Sequence, residues 1–312
     1  MRLIFAITLF LWSGVLFAQT TELPLIDSAI SQAVFKNDDV QKINLLDTSA
    51  VLFPRYATRK PFAFITNVPS DLWQITKSPF QRQNRTGLII TLAATGLLIP
   101  FDQQITDGVK HFFRQLNVDP NTNYSIPIKI GETKLLKLPK NINSAFYELG
   151  EGSISMAIAG GLYLCGKIGK SPRAIHTAAD ITETFFTMGI ATQVLKRISG
   201  RQSPFESTAS GGKWKPFPSF KEYQVNTSNY DAFPSGHLAT MMATVTTLAM
   251  NYPENKWIKP IGFGIMSLTG LAMINTDVHW LSDYPLALAL GYISAKVTNL
   301  RNHPAPKKKV II

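Results

Sequence analysis

Cysteine is almost absent: Cys165 is the only one in 312 residues, so no disulfide can staple the chain to itself. It lies in an apolar run, says nothing about redox compartment, and is expected to be a packed core residue. Acidic residues are also scarce, 20 against 31 Lys and Arg, for a formal net charge of +11 and a pI near 9.6. Such a balance suits anionic partners such as phosphorylated metabolites, acidic lipid surfaces or nucleic acid. Zinc-finger spacing, a basic helix and an RNA-binding aromatic signature are all missing, which argues against nucleic acid. There is no internal repeat and no alternating strand pattern of useful length, so repeat and β architectures are set aside. No metal-ligand cluster stands out, and neither a metal nor another cofactor is expected.

What is present is greasy and exported. The chain is 45% hydrophobic with a mean hydropathy of +0.06. Arg2 supplies a short positive start, Leu3 to Phe17 is nearly all apolar, and Ala18 precedes the polar Gln19-Thr20-Thr21-Glu22. Residues 1–18 therefore read as a secretory signal peptide, with an uncleaved membrane anchor as the alternative. Both place the protein in the cell envelope, in the periplasm or on the membrane, with its working face on the non-cytoplasmic side.

Residues 19–85 read as an irregular N-terminal extension punctuated by prolines. Within it Ser70 to Ile75 has the pattern of a short capped helix, with Trp73 expected to pack under the main body. Six apolar runs follow: Gly87 to Ile99, Ile154 to Cys165, Ile175 to Ile198, Leu238 to Met250, Ile261 to Ile274 and Leu286 to Val297. Between the first two lie a polar amphipathic segment, Asp102 to Leu116, and a basic, proline-containing connection from Lys134 to Asn143. The expectation is an all-α six-helix bundle over residues 86–300, closed by a basic tail at 301–312. Each run falls short of the roughly 20 consecutive apolar residues of a spanning helix. Asp180 and Glu183 also keep the third run from lying wholly in lipid. Membrane association is nonetheless expected, because an apolar, basic, exported bundle must place its greasy surface somewhere.

Chemistry concentrates in three stretches. Pro234-Ser235-Gly236-His237 stops one segment and starts a helix with a capping hydroxyl, approachable backbone and an imidazole. That equipment holds an anion and hands over a proton. His279 and Asp283 are four apart, so on a helix they share a face and can hydrogen-bond. A carboxylate on one ring nitrogen fixes the tautomer and makes the other nitrogen a better nucleophile. Lys196 to Pro204, at the end of the third run, adds cations.

In order and spacing these stretches resemble the type 2 phosphatidic acid phosphatase superfamily, which includes bacterial acid phosphatases and vanadium haloperoxidases. Its pattern is Lys-x6-Arg-Pro, then Pro-Ser-Gly-His, then Ser-Arg-x5-His-x3-Asp, and the resemblance covers about Ala174 to Val297. It implies that His279 attacks phosphorus, Asp283 orients it, and His237 protonates the leaving alcohol and then activates water. It also implies that Lys196, Ser235 and Gly236 bind the phosphate oxygens of a phosphorylated small molecule or lipid.

Two positions depart from the pattern. Ser203 and Met273 stand where the superfamily carries phosphate-clamping arginines, and Asp277 adds a negative charge near the nucleophile. Arg201 is the candidate replacement cation; a helix-end charge meeting the dipole is the other reading. The long loop from Ser203 to Phe233, with Lys213, Trp214, Lys215, Phe217, Phe220, Lys221 and Tyr223, is read either as a lid or as a loop packed on the bundle. The functional expectation is a phosphohydrolase. The alternatives are a weak or inactive relative acting as an envelope binding or structural protein, and a vanadate-dependent haloperoxidase.

Overall fold

The computed structural model describes residues 62–130 and 133–303. The signal-like segment 1–18, most of the N-terminal extension and residues 304–312 of the basic tail lie outside the described residues.

The spine is a 28-residue helix, Pro172–Ser199, about 42 Å long at 1.5 Å per residue. Ser171 caps its start with Pro172 in the first turn, and Gly200 ends it at φ 55°. A Cβ on Gly200 would lie 1.7 Å from the Lys215 carbonyl oxygen, so only glycine fits this exit. In chain order the helices are α1 (Ala63–Thr66), α2 (Val68–Lys77), α3 (Arg85–Leu98), α4 (Asp102–Gln115), α5 (Ile142–Leu149), α6 (Gly152–Ile168) and the spine α7. They continue as α8 (Phe220–Val225), α9 (Gly236–Asn251), α10 (Ile258–Asn275) and α11 (Tyr284–Asn302). All six expected apolar runs are helical, and so is the amphipathic segment, as α4.

Helices α9 and α11 pack most extensively on each other, and both rest on α7. Their contact is close because Gly291 brings α11 against the α9 backbone: a Cβ there would sit 2.3 Å from the Ala239 carbonyl oxygen. The core at this seam is rich in methionine, with Met188, Met241, Met242, Met266 and Met273 beside Leu238, Ile274 and Tyr284. A second, polar seam ties the far end of α11 down. Asp71, Asp180 and Glu183 are fully buried; Arg301 pairs with Asp71 at 2.5 Å and with Glu183. Asn302 and His303 reach Asp180, each at 2.8 Å. Burying three carboxylates is tolerable only with such partners.

Several expectations are corrected. The stretch read as irregular is helical from Ala63. Trp73 is 61% exposed and carries Lys77 over its ring at 4.2 Å, while Val68 and Ile75 face the core instead. Cys165 is exposed, since Ala159 and Gly166 take the inward face of α6. Residues 124–139 form an antiparallel hairpin, β1 (Tyr124–Ile130) with β2 (Thr133–Pro139). Register irregularities around Ile128 and Pro127 broke the alternation that would have marked it. Arg301 belongs to the last turn of α11, not to a tail.

Two helical stretches, Arg82–Gln115 and Ile258–Asn275, are long and apolar enough to cross a membrane by length and composition. Large apolar side chains face outward from α3, α6 and α7, among them Ile89, Leu97, Leu164, Ile168, Ile190 and Val194.

Candidate active site

Backbone links knit the three chemical stretches together. The Ser235 N–H donates to the Asp283 carbonyl at 3.1 Å, and the Ala232 N–H to the Arg201 carbonyl at 3.0 Å. Ser199 Oγ donates to the Phe233 carbonyl at 2.7 Å. The end of α7, the start of α9 and the turn before α11 thus meet at one place. The Phe233–Pro234 bond is cis, and Ser235 caps α9 by accepting from the Leu238 N–H at 3.5 Å.

His279 Nδ1 lies 3.4 Å from Asp283 Oδ2. The pair does not ride on one helical face: Val278 to Trp280 are irregular, Leu281–Asp283 is a single tight turn, and α11 begins only at Tyr284. Asp283 itself is held twice, accepting from the Trp280 N–H at 2.8 Å and from Arg201 Nη1 at 2.6 Å. Burial pushes the His279 imidazole below its ordinary 6.5, against the pull of Asp283. A neutral imidazole in a fixed orientation is a competent nucleophile.

The His237 ring is 6.0 Å from the His279 ring, centroid to centroid. Lys196, one turn before the end of α7, is buried and points to the same place, since a Cβ on Gly236 would lie 3.9 Å from its Nζ. Its ammonium also contacts Asp231 at 3.4 Å. Ser235 is fully buried, with Oγ 3.9 Å from Met273 Sδ. The structure therefore brings together Lys196, Ser235, Gly236, His237, His279 and Asp283.

Arg201 is different. It is fully buried and grips Asp102 at 2.6 Å, Asp283 at 2.6 Å, Ser282 at 2.6 Å and the Gly211 carbonyl at 2.8 Å. Both terminal nitrogens are engaged by protein oxygens, and the indoles of Trp214 and Trp280 flank the guanidinium. Asp102 also accepts from the Ser282 N–H and Oγ. Arg201 thus clamps the turn that carries Asp283. Ser203 and Met273, at the arginine slots, are buried, and the charge of Asp277 is met by Lys110 of α4.

Two contributors escaped sequence reading. Asp102 lies on α4, 99 residues before Arg201 and 180 before Ser282, with no local signal. Glu151 closes the α5–α6 connection and faces His237, 3.5 Å from its Nε2; its only mark in the sequence is its place between Gly150 and Gly152. In the long loop, Tyr223 is buried under Arg197, and Trp214 covers Arg201 and Phe233. Phe217 and Phe220 face outward.

Residues 178–304, which hold every one of the clustered catalytic candidates, match the family model described as the PAP2 superfamily. Over those residues, 127 of the chain's 312, the chain is similar to the type 2 phosphatidic acid phosphatase superfamily. A lipid A 1-phosphatase of Porphyromonas gingivalis is 30% identical over 76 residues, 24% of this chain. Those residues span 17% of that relative's own length. Among solved structures, a PAP2-type phosphatidylglycerolphosphate phosphatase from Bacillus subtilis is 14% identical, covering 80% of this chain and 100% of its own. Its TM-score is 0.36, a loose overlap. Against the superfamily pattern, the lysine, the Pro-Ser-Gly-His stretch and the His-x3-Asp pair are present here. Both arginines are replaced.

Proposed function

We propose that the protein is a phosphohydrolase of the cell envelope, cleaving phosphate monoesters or diphosphates, lipid-linked ones included, through a phosphohistidine intermediate. The observation that carries this reading is the buried His279, set against Asp283 on one side and facing His237, with the Lys196 ammonium beside Gly236. With Nδ1 turned to Asp283, the remaining ring nitrogen, Nε2, is the one that attacks. A P–N bond forms as the P–O bond to the leaving group breaks, and His237 delivers a proton to the departing oxygen. His237 then takes a proton from water, whose oxygen displaces the imidazole and releases inorganic phosphate. Lys196, the Ser235 hydroxyl and the Gly236 N–H neutralise the phosphoryl oxygens. Arg201 acts behind them by holding Asp283.

Membrane association belongs to this reading, supported by the two long apolar helical stretches and the outward apolar side chains of α3, α6 and α7. An amphiphilic substrate suits such a surface, as does the relative's name, which specifies a lipid phosphatase.

A second reading has its own support. Lys196 already contacts Asp231, Arg201 already serves two carboxylates, and Ser203 and Met273 bring no charge. A site so balanced binds phosphate weakly, as an envelope binding or structural protein derived from a phosphatase would.

Phosphate release by the chain in detergent separates the two. The substrates are an aryl phosphate, a diacylglycerol phosphate, a polyprenyl diphosphate and a phosphorylated glycolipid, each run beside His279→Ala. Turnover abolished by that change supports the phosphohistidine route. Equal, background release by both proteins on all four substrates favours the binding protein.

A further inference from the structure

Glutamate is a poor N-cap, because the short side chains of Ser, Thr, Asp and Asn are the ones that reach back to the helix N–H groups. Glu151 nevertheless occupies the N-cap of α6, with extended backbone and no capping bond from its side chain. The carboxylate turns instead to His237, 3.5 Å from Nε2. That nitrogen is buried and has no hydrogen bond among the described residues, so Glu151 is the acidic partner nearest to it.

The approach is built, not incidental. Gly150 lies directly against the imidazole: a Cβ there would come within 3.0 Å of His237 Cβ and 2.9 Å of Thr269 Cγ2. Tyr147, one turn earlier, lays its ring 4.9 Å from the His237 ring. Gly152 is pressed on its other side, where a Cβ would meet the Phe185 ring at 2.7 Å. The glycines on both sides let the α5–α6 connection come close enough for Glu151 to reach. The close polar contact with His237 also holds the Glu151 carboxyl below its usual range, against the opposing effect of burial.

We propose that Glu151 is the positioning residue of His237, so that the site holds two histidine–carboxylate dyads, Glu151–His237 for proton transfer and Asp283–His279 for attack. This deepens the phosphohydrolase reading and rests on it for its catalytic half. The carboxylate fixes which His237 nitrogen carries the proton and supports the imidazolium that protonates the leaving oxygen. Other charged and titratable groups face this pair: Tyr147 and Glu148 from α5, Tyr124 and Lys137 from the hairpin, Asp231 near Tyr147, and Lys196 and His279 across the site.

Two measurements test the proposal on the full chain in detergent. The first is a thermal-unfolding cycle of wild type, Glu151→Gln, His237→Gln and the double variant at pH 6. The expected result is a lowered melting temperature for E151Q that disappears in the H237Q background. Equal losses in both backgrounds overturn the proposal, whatever the activity. The second is the pair of kcat and KM on whichever phosphate substrate the wild type turns over.

For E151Q the proposal expects kcat to fall roughly tenfold with KM unchanged, part of the about 100- to 10,000-fold that general acid–base catalysis supplies. Glu151→Asp, which keeps the charge, should recover most of that kcat. Coupling in the melting cycle with an unchanged kcat would reduce Glu151 to a structural contact and overturn the positioning role. A wild type inert on every substrate defeats the phosphohydrolase reading instead, and the melting cycle then decides alone whether Glu151 holds His237.

Discussion

Removing the Arg201 side chain would strand two fully buried carboxylates at once. The guanidinium has no solvent exposure, and neither do the Asp102 and Asp283 side chains it joins. Arg201→Ala therefore leaves two carboxylates facing an empty, dry space with no counter-charge. Removing one partner of a buried ion pair costs about 3–5 kcal/mol, and two stranded acids place this site at the upper end. For a domain of this size each kcal/mol moves the melting temperature by about 2–4 °C, so a fall of about 10–20 °C is expected.

Thermal unfolding followed by circular dichroism in detergent measures it. Arg201→Lys should fall between wild type and alanine, because one ammonium cannot reproduce a two-nitrogen fork. The kinetic signature separates support from direct phosphate binding. If Arg201 acts through Asp283, R201K loses kcat while inhibition by inorganic phosphate hardly changes. A melting temperature for R201A within about 2 °C of wild type would refute the reasoning, since it would mean the clamp carries no net stability.

Asp231 holds the Lys196 ammonium at 3.4 Å, so on the proposed phosphate-binding role of Lys196, Asp231→Asn should tighten competitive inhibition by inorganic phosphate several-fold in steady-state assays. Burial lowers the His279 pKa, so the unfolded chain takes up a proton first as pH falls. Its contribution to stability is therefore complete above about pH 6.5 and is lost below it. The same shift should place the acid limb of kcat/KM below pH 6.5. Burial also raises Asp71 from 3.8 to about 6, against Arg301. Arg301→Ala should raise it further, so that the folded state holds a proton the unfolded state releases. The variant's deficit in melting temperature should then be larger at pH 7.5 than at pH 5. Gly291→Ala should destabilise by about 1–3 kcal/mol in chemical denaturation, because the new methyl meets a backbone oxygen that cannot turn aside.

The helices were legible because the apolar runs have clear stops, such as Pro100 and Gly200, and capping residues such as Ser171 and Ser235. The clustered site residues were legible because three short stretches carry most of them at fixed spacings. The hairpin was not, since its irregular register and Pro127 erase a period of two. Helical spacing foretold that His279 and Asp283 would meet, but a single tight turn brings them together. Arg201 could be picked out as a cation near the site, yet whether it faces phosphate or protein depends on Asp102, which only tertiary packing supplies. Glu151 was hidden for the same reason: nothing local ties residue 151 to residue 237. Trp73 and Cys165 were misplaced because hydrophobicity alone does not say which face of a helix turns inward.

Asp102 lies outside the segment that matches the superfamily, 76 residues before it begins at 178, yet its carboxylate completes the clamp under Asp283. Asn143, likewise upstream, meets Asn275 of α10 at 3.2 Å, and Glu151 stands against His237. The recognisable module therefore draws part of its packing from residues upstream of its own boundary. A fragment trimmed to the matched residues would keep each motif histidine while losing Asp102 and Glu151, the acids in contact with Arg201 and His237. Grafting or dissecting this protein along its motif boundaries would cut through the scaffold of its own chemistry.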